Sequence, residues 1–322
     1  MKIGVAGPGA VGSYYGARLA RDGHDVYFLL RSDYEQVRRN GVRIISAEGN
    51  FNVRPRAART PEEIGPCDLV LIALKTTVNS EFPKLIPPMV AENTAVLTLQ
   101  NGLGNEEALA RIFPPHQILG GLCFVCLNRT GPGVVEHIAH GKIEMGEFAR
   151  WPEPRTHDIA GAFRHAGVPC TVRDNLEKAH WEKLVWNIPF NGLGVASCAG
   201  YDAVRSGRFS GRTADCLTTD KLLAEPKWLE LVQELMREII RTTNAFGLNI
   251  PFECADEQIE KTRVMGAYKP STLVDFLRGQ SIELESLFFE PLRRAEAKSV
   301  ETPRLRSLCK VLQALDPGAA GS

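Results

Sequence analysis

No apolar run in this 322-residue sequence approaches the about 18 residues that a helix needs to cross a bilayer. An excess of either charge is missing too. The 38 Lys and Arg balance 38 Asp and Glu, so there is no electrostatic footprint for nucleic acid. Eight cysteines in a chain of this length are too sparse for a secreted disulfide framework. Cys123-Phe124-Val125-Cys126 matches a C-x-x-C pattern, but it lies in an apolar run that reads as a strand. A spacing of three there sends the thiols to opposite faces, which favours core packing. The seven histidines include no H-E-x-x-H spacing. His137 and His140, in a predicted strand and its turn, read as structural, so no metal site is expected. A strand that begins at Met1 leaves no room for a signal peptide, and a cytoplasmic location is expected.

What is present begins at the first residue. Lys2-Ile3-Gly4-Val5-Ala6 reads as a strand, Gly7-Pro8-Gly9-Ala10-Val11-Gly12 as a glycine turn, and Ser13 to Ala20 as a helix. Strand, turn and helix in that order make the opening of a dinucleotide-binding βαβ unit. Gly7 permits the tight turn, Gly9 lets backbone approach a pyrophosphate, and Gly12 lets helix and strand pack closely. The N–H groups at the helix start would then hold the diphosphate. His24 to Leu30 reads as the second strand. An NAD-binding sheet places Asp or Glu at its end, against the ribose 2′-hydroxyl. Here Leu30-Arg31-Ser32 stands there instead. Arg31 is either a solvated surface residue or the partner of a 2′-phosphate, and the missing carboxylate favours NADP(H).

Short strands alternate with helices to about residue 112, the pattern of a doubly wound parallel sheet. Asp68 to Leu74 and Thr94 to Leu99 are continuous apolar strands that end at Lys75-Thr76-Thr77 and Gln100-Asn101-Gly102. Lys75 and Asn101 therefore fall at carboxyl ends of strands, the edge where such sheets bind ligands. From Ile118 to Gly146, strands expected to be antiparallel follow, with turns at Thr130-Gly131-Pro132-Gly133 and His140-Gly141-Lys142. A helix near 157–166 and a strand near 169–172 close a first domain, 1–172. The remainder, 173–322, reads as helical. The apolar stripe Trp228, Leu231, Val232, Leu235, Met236, Ile239 and Ile240 would serve a core or a homodimer. The tail Asp316 to Ser322 is expected to fray.

Asn175 to Asn191 reads as a helix capped by Asn175, with Pro189 expected to kink it. Lys183, Asn187 and Asn191 are spaced by four and share one face. That face is polar amid Leu184, Val185, Trp186, Ile188 and Phe190. An ammonium and two amides in such surroundings call for partners. Either solvent or a small polar substrate would supply them.

The glycine turn, Arg31, Ala73-Leu74-Lys75, Gln100-Asn101-Gly102, Trp181 to Asn187 with Asn191, and Pro270 to Asp275 followed by Glu283 occur in one order. Together, over residues 1 to about 315, they resemble the ketopantoate reductases (2-dehydropantoate 2-reductases). The resemblance implies an α/β fold with an N-terminal Rossmann-type doubly wound sheet and a C-terminal all-helical domain. It implies NADPH-dependent reduction of a 2-oxo acid to a 2-hydroxy acid, at a cleft between the two domains, in pantothenate and coenzyme A synthesis. Lys183 then matches the general acid and Glu283 an active-site carboxylate that would help keep Lys183 charged. Asn187, Asn191 and Ser271 match substrate-binding residues, although Ser271 also suits a helix N-cap. Lys75 and Asn101 match residues near nicotinamide and substrate. Phe288-Phe289, where many members carry Asn-Gly, and Tyr201 are expected to alter the substrate side. A reductase of the same family acting on another 2-oxo acid, or a non-catalytic NADP(H)-binding sensor, are the other readings.

Overall fold

The computed structural model describes residues 1–318. The chain divides into two compact units, Met1–Ala179 and His180 onward. No helix among the described residues is long and apolar enough to cross a membrane.

The first unit is built on a ten-stranded sheet. Its strands are β1 (Lys2–Ala6), β2 (Asp25–Leu29), β3 (Val42–Ser46), β4 (Phe51–Val53), β5 (Arg56–Ala58), β6 (Leu69–Ile72), β7 (Ala95–Thr98), β8 (Ile118–Gly131), β9 (Val134–Glu147) and β10 (Cys170–Val172). They lie in the order β4-β3-β9-β8-β7-β6-β1-β2-β5, with β10 paired to β9. The run from β8 through β7, β6, β1 and β2 to β5 is parallel throughout, while β8/β9 and β3/β4 are antiparallel. Successive residues of the central strands enter opposite cores. Leu69 and Leu71 pack with Ile3, Val5 and Leu97, whereas Val70 and Ile72 pack with Ala6 and Val96. That two-sided burial is what a doubly wound sheet requires, and it explains why β6 and β7 read as continuous apolar runs.

The first helix, Ala10–Arg21, lies close against this sheet. A Cβ on Gly16 would meet the Phe28 ring at 2.5 Å, and one on Gly12 would meet the Gly7 carbonyl oxygen at 2.6 Å. The approach to the strands thus falls to Gly16, a residue outside the glycine fingerprint, while Gly12 packs on the turn itself. Gly7 has φ +83° and faces the Leu74 backbone nitrogen at 2.6 Å from where a Cβ would stand.

The expected turn at His140-Gly141-Lys142 is not one. β9 runs straight through it, and Phe124 pairs with Lys142 while Val125 pairs with His140. Gly141 is the extra residue of a β-bulge, with positive φ at both His140 and Gly141. A bulge and a turn share this dipeptide chemistry, which is why the sequence misleads. His137 is buried, hydrogen-bonded at 2.9 Å to the Ser46 hydroxyl through Nδ1 and to the His140 carbonyl through Nε2. None of the eight cysteines is in a disulfide, and Cys123 packs against the sheet core.

In the second unit every described element is helical. Helix Leu176–Ala196 enters it from the first unit and starts as expected, with Asn175 Oδ1 accepting from the Lys178 N–H at 2.8 Å. Pro189 does not end it, and the helix continues to Ala196. Its second half is buried from Asn187 through Ala196, so packing outweighs the about 3 kcal/mol that an interior proline costs. Helix Pro226–Ala245 buries the whole stripe from Trp228 to Ile240. That stripe is core, and it is not an exposed dimer face. The tail is held at its start, where Asp316 Oδ1 accepts from the Ile282 N–H at 3.1 Å. Residues 319–322 of that tail lie outside the described residues.

Replacing Gly7 by Ala forces both an unfavourable positive φ and a clash with backbone that cannot swing aside. It should cost about 2 kcal/mol or more, read as a lowered urea midpoint.

Candidate functional site

Four loops of the first unit leave one edge of the sheet together, because β7, β6, β1 and β2 are parallel neighbours. The order of connection reverses at β1, which has β2 on one side and β6 on the other. Ligands of open α/β sheets sit at such switch points. After β1, no side chain among the described residues caps the helix at Gly9. The Gly9 N–H instead donates to the Gly7 carbonyl at 2.7 Å, and the Ser13 hydroxyl donates to the Pro8 carbonyl at 2.8 Å. A Cβ on Gly9 would meet nothing nearer than 4.0 Å. An uncapped helix start beside open space fits a pyrophosphate.

After β2, Arg31 is exposed. Two residues on stands a carboxylate that the dipeptide Arg31-Ser32 hides from a reading of the sequence. Asp33 is buried, and its oxygens take Arg129 Nη2 at 2.5 and 2.6 Å, the Gly133 N–H at 3.2 Å and the Ser32 hydroxyl at 3.0 Å. Burial opposes its ionisation, but the hydrogen bonds from Arg129 and Ser32 outweigh that and hold the carboxyl below its ordinary value.

After β6 and β7 the two remaining loops are tied to each other. Lys75 is exposed and leads into the 3-10 turn Thr76–Glu81. Asn101 follows β7, ahead of Gly102 and Gly104, both with positive φ. A chain of amides joins them. The Thr98 hydroxyl donates to Gln100 Oε1 (2.9 Å), Gln100 Nε2 to Asn79 Oδ1 (2.8 Å), Asn79 Nδ2 to Asn105 Oδ1 (2.9 Å), and Asn105 Nδ2 to the Asn101 carbonyl (3.1 Å). Gln100 and Asn105 are buried, so the chain of bonds is made largely away from bulk water. Only the density of Asn and Gln around residue 101 hinted at these positioning residues.

The second unit carries the other candidates. Lys183 is half-buried, and Asn187 and Asn191 are buried on successive turns of the same helix face. Asn191 Oδ1 accepts from the Thr272 N–H at 3.0 Å and from the Ser271 hydroxyl at 3.4 Å, while its Nδ2 reaches Asn187 Oδ1 at 3.5 Å. Ser271 does not cap its own helix, so the alternative reading of it as an N-cap is not met. Helix Ser271–Leu277 begins after Pro270 with no cap of its own, and the carboxamide of Asn191 supplies it from another helix. The structure thus joins Asn187, Asn191 and Ser271 in one hydrogen-bonded line. Glu283 is half-buried just before the helical turn that starts at Leu284, and its carbonyl accepts from the Leu287 N–H at 3.3 Å. Phe288, expected to alter the substrate side, lies within the core of its unit. It is fully buried, beside Gly192, whose Cβ would meet the ring at 2.9 Å. Tyr201 stacks edge-on against Trp228 at 5.3 Å, and its hydroxyl accepts from Arg205 at 2.9 Å.

The family model described as "Ketopantoate reductase PanE/ApbA" matches residues 3–150, and "Ketopantoate reductase PanE/ApbA C terminal" matches residues 211–316. This chain belongs to the ketopantoate reductase family. It is thereby an NAD(P)-dependent oxidoreductase. A 2-dehydropantoate 2-reductase from Nostoc sp. is 37% identical over 98% of this chain and 95% of that protein. The crystal structure of 2-dehydropantoate 2-reductase from Geobacter metallireducens superposes with a TM-score of 0.90 at 42% identity, covering 98% of this chain and 99% of that one. D-mandelate dehydrogenase with NADH and anilino(oxo)acetate shares the fold, with a TM-score of 0.84 at 19% identity over 99% of this chain and 100% of that one.

Asn191→Ala removes the acceptor for a buried N–H at Thr272. It should lower stability by about 1–3 kcal/mol, measured by urea denaturation.

Proposed function

We propose that this chain reduces 2-dehydropantoate to pantoate with NADPH, in the pathway to pantothenate and coenzyme A, from a cytoplasmic location. The observation that carries the reading is the hydrogen-bonded line of Asn187, Asn191 and Ser271, on the helix face that also carries Lys183, in a chain whose relatives bear that name. The loop from Gly7 through Pro8, Gly9, Ala10 and Val11 to Gly12 would hold the pyrophosphate through its backbone N–H groups, and Arg31 would take the 2′-phosphate. Lys75 and Asn101, on loops fixed by the amide chain, would border the nicotinamide end. Bound NADPH supplies the hydride for the ketone carbon.

The protein's own part is to manage the charge that then develops on oxygen. An ammonium at Lys183 stabilises the alkoxide as it forms and gives it a proton. Glu283 would help keep that ammonium charged. The Asn187 carboxamide and the Ser271 hydroxyl would orient the carboxylate and hydroxyl of the substrate, which sets the face that is attacked. Asn191, its oxygen committed to Ser271 and Thr272, would act by holding Ser271 in place.

Following NADPH absorbance with 2-dehydropantoate tests this directly. Lys183→Ala should lower kcat by about 10²–10⁴-fold while NADPH still binds. Consumption of NADPH with a different 2-oxo acid, and none with 2-dehydropantoate, would reassign the substrate. Tight NADPH binding without turnover of any 2-oxo acid would make the chain a sensor. Arg31→Ala should weaken NADPH about tenfold and leave NADH nearly unchanged, because only the 2′-phosphate loses a charge-assisted bond.

A further inference from the structure

We infer that Arg129 is a positioning residue for coenzyme choice, selecting NADP(H) over NAD(H) by sequestering the carboxylate of Asp33. The inference rests on the coenzyme reading above. The opening for it is a conflict in the local sequence. A carboxylate just past the second strand ordinarily binds the ribose 2′-hydroxyl and repels a 2′-phosphate. Asp33 stands just past β2, two residues from Arg31. Left to itself it would either pair with Arg31 or turn its charge toward the phosphate, and in both cases the preference for NADP(H) would weaken.

The structure removes that charge from play with groups from a distant part of the chain. Arg129 lies near the end of β8, and its Nη2 bonds both Asp33 oxygens, at 2.5 and 2.6 Å. The Gly133 N–H adds a bond at 3.2 Å and the Ser32 hydroxyl one at 3.0 Å. The Asp33 side chain is 9% exposed, against 41% for Arg129. The carboxylate is thus enclosed and its countercharge faces outward. The hairpin that brings Arg129 here is itself fixed. Its Gly133 carbonyl accepts from the Arg43 N–H at 2.8 Å, and Gly133, at φ +67°, abuts Gly41 with 3.0 Å between a would-be Cβ and the carbonyl oxygen. Arg129 therefore does two things at once. It cancels the one carboxylate that would mark this loop as NAD-binding, and it leaves the exposed Arg31 as the charge available at the end of β2.

The experiment is a fluorescence titration of NADPH and of NADH on the full chain. It compares the unaltered protein, Arg129→Ala, Arg129→Lys and the double variant Arg129→Ala/Asp33→Ala. Releasing Asp33 by Arg129→Ala should raise the NADPH Kd about tenfold or more relative to the NADH Kd. Arg129→Lys should retain most of the preference. The double variant should regain it, since no carboxylate is left to compete. A structural role alone would weaken both coenzymes equally, and the double variant would then recover nothing. That result overturns the inference, as does an unchanged Kd ratio in Arg129→Ala. If Arg129→Ala does not fold, Arg129→Lys and the double variant decide, with loss of preference in the double variant counting against. If the unaltered protein binds NADH as tightly as NADPH, the coenzyme reading fails and this inference falls with it. If it prefers NADPH and only the Arg129 variants behave otherwise than expected, the inference alone fails.

Discussion

The close seat of helix Ala10–Arg21 on the sheet is the constraint from which the first unit follows. Side chains cannot fill the space between Gly16 and Phe28, or between Gly12 and the Gly7 carbonyl. The helix start is therefore held at the carboxyl end of β1. A bulkier residue at either position would lift the helix and take the turn with it. The parallel neighbours β2, β6 and β7 then deliver their own loops to the same edge, and the amide chain from Thr98 to Asn101 keeps two of those loops in register. Loops separated widely in sequence are brought to one edge by strand order.

Much of this architecture is written locally. Alternation and glycine spacing suffice for β1, the glycine turn and the first helix, and unbroken apolar runs suffice for β6 and β7. The Lys183, Asn187 and Asn191 face is legible because a period of four on a helix needs no tertiary information. What escapes a linear reading are contacts made across long sequence separations. Asp33 looks like an ordinary surface acid until Arg129 arrives on β8. Gly141 looks like a turn until β8 is seen to pair across it. The burial of Phe288 depends on Gly192, on another helix, which leaves the slot that the ring fills. Pro189 lies inside a helix that continues past it, since intrinsic propensity is a weak guide where a helix is buried on all sides.

The second unit repeats one device at two helix starts. Helices Ser271–Leu277 and Pro303–Leu315 lack side-chain caps of their own. Asn191 serves the first. For the second, the buried Glu238 carboxylate accepts from the Arg304 and Leu305 N–H groups, both at 2.9 Å. Burial pushes the Glu238 carboxyl up, against the pull of those two donors. Caps supplied from another helix fix where the second helix begins as well as how it is oriented, because the acceptor cannot move without its own helix.

The dual engagement of Asn191 carries an evolutionary consequence. A residue whose carboxamide terminates one helix and aligns the hydroxyl beside it is not free to drift toward a new ligand. Any exchange there is felt first as a loosened fold. Change would therefore be absorbed more readily at Asn187, at Ser271 and at positions around them. Asn191 stays as the fixed hinge-pin of that helix start.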